Sequence, residues 1–137
     1  MILNLNHVAI VVPQVAEALT FWRDTLGLNF SYQTEVPEQK VTVAFLPVGG
    51  SEVELLEPTD PDSGVGRYLA KHGSGIHHLC FEVDDIRQTL QLLKAKGVRL
   101  IDETPKNGPG GRQIAFVHPV STGGVLVELY QAPPDRQ

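Results

Sequence analysis

Cysteine is almost absent from this chain, which has one, Cys80, together with a single methionine and a single tryptophan. A lone thiol cannot close an internal disulfide, so the fold stands without covalent staples and its composition agrees with a reducing compartment. Between Leu79 and Phe81, Cys80 reads as a small buried thiol. No run approaches the roughly 18 apolar residues that a membrane span requires. The opening MILNLNHVAIVVP carries neither a basic leader nor a small-residue cleavage site and reads as a strand. No membrane role and a cytoplasmic address are therefore expected. A basic stripe is missing as well: 11 Lys and Arg lie scattered against 16 Asp and Glu, for a net charge of -5. That balance excludes sequence-independent binding to nucleic acid. There is no Cys-x-x-Cys pair and no serine elbow with His and Asp. The glycine-rich NGPGGR (107–112) lacks the Lys-Ser/Thr of a phosphate loop and reads as a β-connection. Covalent catalysis is not indicated.

What the chain does have is a repeat. GGSEVELLE (49–57) returns as GGVLVELYQ (123–131), which places Glu54 and Glu128 at equivalent positions 74 residues apart. LNHVAIVV (5–12) aligns with IHHLCFEV (76–83), setting His7 opposite His78 at a spacing of 71, and Leu19/Leu90 and Phe45/Phe116 keep that spacing. The three-residue difference is visible where FLPVGG becomes FVHPVSTGG, so one lengthened loop accounts for it. The same segments recurring in the same order mark a duplicated unit.

Both halves have the same order of elements. Residues 5–12 run apolar with β-branched side chains, as a buried strand does. Pro13 is expected at the first helical position, where a missing N–H costs nothing. Val15, Ala18, Leu19, Trp22 and Leu26 fall on one helical face, and Gly27 is the stop. The second half repeats this with Asp84 or Asp85 as N-cap, Ile86, Leu90 and Leu93 on one face, and Gly97 as the stop. Three strands are expected after each helix, near 28–34, 41–48 and 51–57, then near 98–104, 112–118 and 124–131. DSGVGRYLAKHG (62–73) has a serine cap, helical spacing and a glycine stop, which predicts a linker helix. The fold class is α+β, with one domain over 1–137: module one about 1–58, the linker helix about 62–73, and module two about 75–131.

Each half thus carries a histidine on its first strand and a glutamate on its last, both within apolar segments. A buried carboxylate has to be paired, protonated or metal-bound, because an isolated charge there costs several kcal/mol. Two imidazoles and two carboxylates form a site for Co²⁺, Mn²⁺, Ni²⁺, Fe²⁺ or Zn²⁺ with positions left for substrate. His7, Glu54, His78 and Glu128 are the expected ligands. His77 points to the other side of its strand and is read as structural or as a support to the ligands. His72 is read as a helix-end cation. His118, beside the lengthened loop, is open between a place at a cleft mouth and a role in a turn.

Paired βαβββ units with these ligands resemble the vicinal oxygen chelate superfamily, the glyoxalase, bleomycin-resistance and dioxygenase group. LNHVAIVVP, VPEQKVTVAFL, VELLEP, GSGIHHLCFEVDDI, KGVRLIDETPKNGPGGRQIAFVHP and TGGVLVELYQ resemble, in order, segments of its methylmalonyl-CoA epimerase family. The resemblance implies two tandem modules forming a half-open mixed β-sheet barrel around a metal site. It also implies metal-dependent epimerisation of (R)- and (S)-methylmalonyl-CoA by proton transfer at C2 through a stabilised enediolate. Cobalt is the ion expected first, with Mn²⁺, Ni²⁺, Zn²⁺ or Mg²⁺ as alternatives, and a homodimer acting on an acyl-CoA is expected. Glu128 is implied as a base as well as a ligand. Where some family members have a second acidic residue, this chain has Val43, so the other proton carrier is left open among Glu54, a bound water and an unidentified residue, with Gln39 as a positioning group. Arg67, Lys71, Lys106 and Arg112 are the candidates for contacts with the coenzyme A tail. A glyoxalase I activity and a non-enzymatic small-molecule-binding resistance protein are the rival readings on the same scaffold.

Overall fold

The computed structural model describes residues 1–134. The elements are β1 (Ile2–Val11), α1 (Val15–Leu19, continued as π-helical turns through Thr20–Thr25), β2 (Tyr32–Val36), β3 (Val41–Val48), β4 (Ser51–Pro58), α2 (Gly64–His72), β5 (Gly75–Val83), α3 (Ile86–Ala95), β6 (Lys106–Asn107), β7 (Gln113–Val117) and β8 (Leu126–Gln131). Two compact units result, one of residues 7–77 and one of residues 1–6 with residue 78 onward. The expected order βαβββ is present in both.

In the first unit the strand order is β2-β3-β4-β1. β1 lies parallel to β4, with Ala9 opposite Glu54, and β4 and β3 are antiparallel, with Phe45 opposite Glu54. Side chains alternate across a strand, and the two faces of this sheet have different tasks. Val53, Leu55, Ala44, Leu46, Ile10 and Val12 meet Val15, Ala18, Leu19 and Trp22 of the helix. Ala9, Val41, Val43 and Leu56 form a second cluster on the opposite face, with Phe45 and with Val65 of α2. Each fully buried Leu or Val there contributes about 1.5–3 kcal/mol. The side away from α1 is the one that carries His7 and Glu54.

The second unit repeats the plan in the order β5-β8-β7-β6. β5 and β8 are parallel with Cys80 opposite Glu128, and β8 and β7 are antiparallel with Phe116 opposite Glu128. Ile86, Leu90 and Leu93 of α3 pack on Phe81, Val83, Ala115, Val117, Val127 and Leu129. Residues 1–6 flank β5, where Asn4 donates to the Glu82 carboxylate at 2.6 Å and the Asp84 N–H reaches the Met1 carbonyl at 3.3 Å.

Four sequence expectations are corrected here. Pro13 lies outside α1, whose N-cap is Gln14. The orphan N–H of Val15 is taken at 2.7 Å by the Glu57 carboxylate instead. Gln131, at the equivalent place in the repeat, accepts the N–H of Ile86 at 2.7 Å. Leu26 is 54% exposed rather than on the core face. The π-helical turn, seen in the 2.7 Å bond from the Leu26 N–H to the Phe21 carbonyl, inserts about one residue and rotates the end of the helix by about 100°. The strand expected at 28–34 begins only at Tyr32, because the Leu28 N–H closes back on the Trp22 carbonyl and Leu28 packs under the helix. The strand expected at 98–104 reduces to a single bridge from Leu100 to Val117, and pairing resumes at Lys106–Asn107. There the Asp102 carboxylate takes the Phe116 N–H at 2.9 Å, so a side chain replaces the strand's own carbonyl.

The linker helix is present as expected, capped by Ser63, whose hydroxyl accepts the Gly66 N–H at 3.0 Å. A Cβ at Gly66 would come within 2.5 Å of the Asp60 carbonyl oxygen and 2.7 Å of that of Pro61. Gly66→Ala is therefore expected to destabilise the protein by about 1–3 kcal/mol in urea denaturation through overpacking against rigid backbone. Glu57→Ala and Gln131→Ala are each expected to lower stability by about 1 kcal/mol through loss of a helix cap.

Candidate metal centre

Each unit places its histidine and its glutamate together. On the face of the first away from α1, His7 Nδ1 lies 3.2 Å from Glu54 Oε2, with side-chain exposures of 8% and 14%. On the matching face of the second, His78 Nε2 lies 3.2 Å from Glu128 Oε1, with exposures of 11% and 13%. Parallel pairing of first and last strand sets both arrangements. Ala9 lies opposite Glu54, so His7, two residues earlier on the same face, is the diagonal neighbour of the carboxylate. In the second unit His78 lies opposite Leu126, two residues before Glu128.

The separation fits ligands of a shared ion. Two donors each about 2.1 Å from one cation are about 3.0 Å apart at a right angle and about 3.4 Å apart at the tetrahedral angle. An imidazole nitrogen and a carboxylate oxygen, both largely buried, are also the donor set that Co²⁺, Mn²⁺, Ni²⁺ and Zn²⁺ accept. The walls of each pair are ordered. In the second unit the Phe116 ring stands edge-on to the His78 ring, 6.2 Å between centroids. In the first, the Phe45 ring stacks on Tyr32 at 4.6 Å.

The remaining candidates fall into place around these pairs. His77 sits on the other side of β5 from His78 and meets the Tyr68 ring edge-to-face at 5.1 Å, a structural role. His72 ends α2 against the same ring at 4.6 Å. His118 caps a short turn, its Nδ1 accepting the Val120 N–H at 3.0 Å, which decides for the turn role. Val43 is buried on the face that carries Glu54, and Gln39 is exposed in the turn Pro37–Gln39. Cys80 is buried as expected, on the face that carries His78 and directly opposite Glu128 in register. Counting strand parity from His78 would have placed it there. The helix caps Glu57 and Gln131 were also readable, three residues after each glutamate of the repeat. A recess of about 410 Å³ between β1 and α1, lined by Ile10, Val12, Gln14, Glu17 and Trp22, opens on the helix side of the first unit and not on the side of His7 and Glu54.

Comparison with known proteins gives a consistent set of similarities. Residues 6–116 match the family described as the Glyoxalase/Bleomycin resistance protein/Dioxygenase superfamily. The mouse mitochondrial methylmalonyl-CoA epimerase is 43% identical over 130 residues, 94% of this chain and 73% of that protein. The Cereibacter sphaeroides ethylmalonyl-CoA/methylmalonyl-CoA epimerase is 40% identical, over 96% of this chain and 99% of that one. Among solved structures, a Streptomyces coelicolor methylmalonyl-CoA epimerase in complex with 2-nitronate-propionyl-CoA superimposes with a TM-score of 0.86 at 34% identity, covering 98% of this chain and 97% of that one.

Protein stripped with a chelator and titrated with cobalt chloride in a calorimeter is expected to bind the ion. His7→Ala and His78→Ala are each expected to weaken that binding by more than about a hundredfold, beyond what loss of a residue supporting a ligand costs. Unchanged affinity in both variants would make the two pairs purely structural.

Proposed function

The chain belongs to the glyoxalase/bleomycin resistance protein/dioxygenase superfamily, in its methylmalonyl-CoA epimerase branch, and from that premise we propose that it interconverts (R)- and (S)-methylmalonyl-CoA with the help of a divalent ion. His7, Glu54, His78 and Glu128 are the ligands in this reading, and cobalt is the first choice of ion. The observation that carries it is the buried imidazole–carboxylate pair at 3.2 Å, formed twice at equivalent positions of a duplicated unit. The reading extends to one domain over the whole chain, a homodimer and a cytoplasmic address.

The reaction moves one proton at the carbon between a thioester and a carboxylate. An ion held by these residues supplies stabilisation of the negative charge that develops on the substrate oxygens, which an ordinary carboxylate base at neutral pH needs in order to remove so weakly acidic a proton. Glu128 is the base, accepting the proton on a carboxylate oxygen. Its neighbours Phe116, Leu126 and Tyr130 share its face, and its own side chain is 13% exposed. Inversion requires a second proton carrier for the opposite side of the carbon. Val43 cannot serve and Gln39 exchanges no proton at neutral pH; of the groups the sequence leaves open we propose Glu54, because it is the carboxylate that shares a face with Val43.

Incubation of methylmalonyl-CoA with the cobalt-loaded protein in deuterium oxide is expected to place deuterium at C2, detected by mass. Glu128→Gln is expected to slow exchange at least about a hundredfold, the usual scale for loss of a general base. Turnover of the methylglyoxal–glutathione adduct without exchange into methylmalonyl-CoA would overturn the proposal in favour of a glyoxalase.

A further inference from the structure

The wall of the His78–Glu128 pair carries a cation. Phe116 lies opposite Glu128 in register, its ring edge-on to that of His78 at 6.2 Å, and Lys106 Nζ stands 5.1 Å from the centre of the same Phe116 ring. Lys106 pairs with Ile114, which shares one side of β7 with Phe116, so the register brings the lysine onto the face of the pair. Two legs of 5.1 and 6.2 Å meet at the shared ring and put the ammonium no more than about 11 Å from the centre of the His78 ring. Its anchorage leaves its donors available. A cation over a ring keeps its N–H groups, and the nearest Asp102 carboxylate oxygen is 3.7 Å away, beyond hydrogen-bond length. That carboxylate is itself fixed by the Phe116 N–H at 2.9 Å. Ring and carboxylate together hold the ammonium beside Phe116 while 53% of the side chain stays exposed.

We propose that Lys106 receives the free carboxylate of a malonyl-type thioester and so selects acyl groups that carry one. The proposal rests on the acyl-CoA reading above and names the residue that distinguishes a carboxylated acyl group from a plain one. The contact also fixes the rotation of the substrate about C2, turning its C–H bond toward Glu128, while the lysine itself exchanges no proton with the substrate.

Charge and distance both support this assignment. In the ligand set proposed above, two glutamates offset the charge of a divalent ion. The substrate then brings one negative charge in its carboxylate and develops a second as its proton leaves. A fixed cation beside the pair compensates the charge that the centre leaves over. Distance gives the second argument. A base about 3.0–3.5 Å from the reacting carbon stands about 8–9 Å from an ammonium bonded to the far carboxylate oxygen. With Glu128 Oε1 3.2 Å from His78 Nε2, the position of Lys106 beside Phe116 accommodates that span.

The test compares malonyl-CoA with propionyl-CoA, which carry a carboxylate and a methyl at the same carbon. Neither has a stereocentre to invert, so their binding is read apart from epimerisation. In calorimetric titration of the cobalt-loaded full chain, Lys106→Met is expected to weaken malonyl-CoA binding about five- to tenfold, as loss of one charge-assisted contact does. Propionyl-CoA affinity should stay within about twofold of the parent, which also checks that the variant is folded, and Lys106→Arg should recover part of the loss. A preference for malonyl-CoA that depends on Lys106, in a parent protein that shows no exchange at C2, would uphold the role of the lysine while overturning the epimerase reading. Equal losses for the two thioesters, or no loss for either, would overturn the proposal.

Discussion

An imidazole and a carboxylate set among apolar side chains lose several kcal/mol of hydration each unless something replaces the water. This protein accepts that cost twice, at equivalent places, and the rest of each unit is arranged to make it tolerable. The first and last strands of a unit run parallel, which brings residues far apart in sequence to adjacent positions on one face. The helix takes the other face and most of the hydrophobic burial, leaving each histidine and glutamate together on the side away from it. A cation between donor atoms 3.2 Å apart would neutralise the carboxylate and use the imidazole lone pair, turning a costly polar pair into a functional one.

The same strands that carry the glutamates also hold the helices. Three residues beyond each glutamate, Glu57 and Gln131 accept the first N–H of α1 and α3. A shift of the last strand therefore moves the helix start and the glutamate together, which ties position at the centre to the stability of the unit around it. One partner is charged and the other neutral, so the geometry of the side-chain oxygen, rather than its charge, is what the repeat preserves.

Much of this was legible in the residues. The doubled Gly-Gly-x-x-Val-Glu-Leu and the aligned histidines fixed the order βαβββ, the two His–Glu pairs and the positions of β3, β4 and α3 to within about a residue, because alternation and helical spacing are local properties of the chain. What escaped were features decided by tertiary contacts. An ideal helical period places Leu26 inward, and the π-turn rotates it out. The segment 98–104 has strand-like composition, yet the Asp102 side chain captured the backbone group that a strand would have used. Lys106 Nζ stands 5.1 Å from the centre of the Phe116 ring and the Arg112 guanidinium carbon 5.0 Å from that of Tyr130, contacts that depend on the register between β6, β7 and β8, which no single segment encodes.

The central claim is that the two imidazole–carboxylate pairs act on one ion. Cobalt K-edge X-ray absorption on the loaded protein, with the metal content measured on the same sample, tests it most directly. The account requires one cobalt per chain with two imidazoles and otherwise oxygen donors in its coordination shell. A shell with a single imidazole, a sulfur neighbour from Cys80, or two cobalt ions per chain would contradict it.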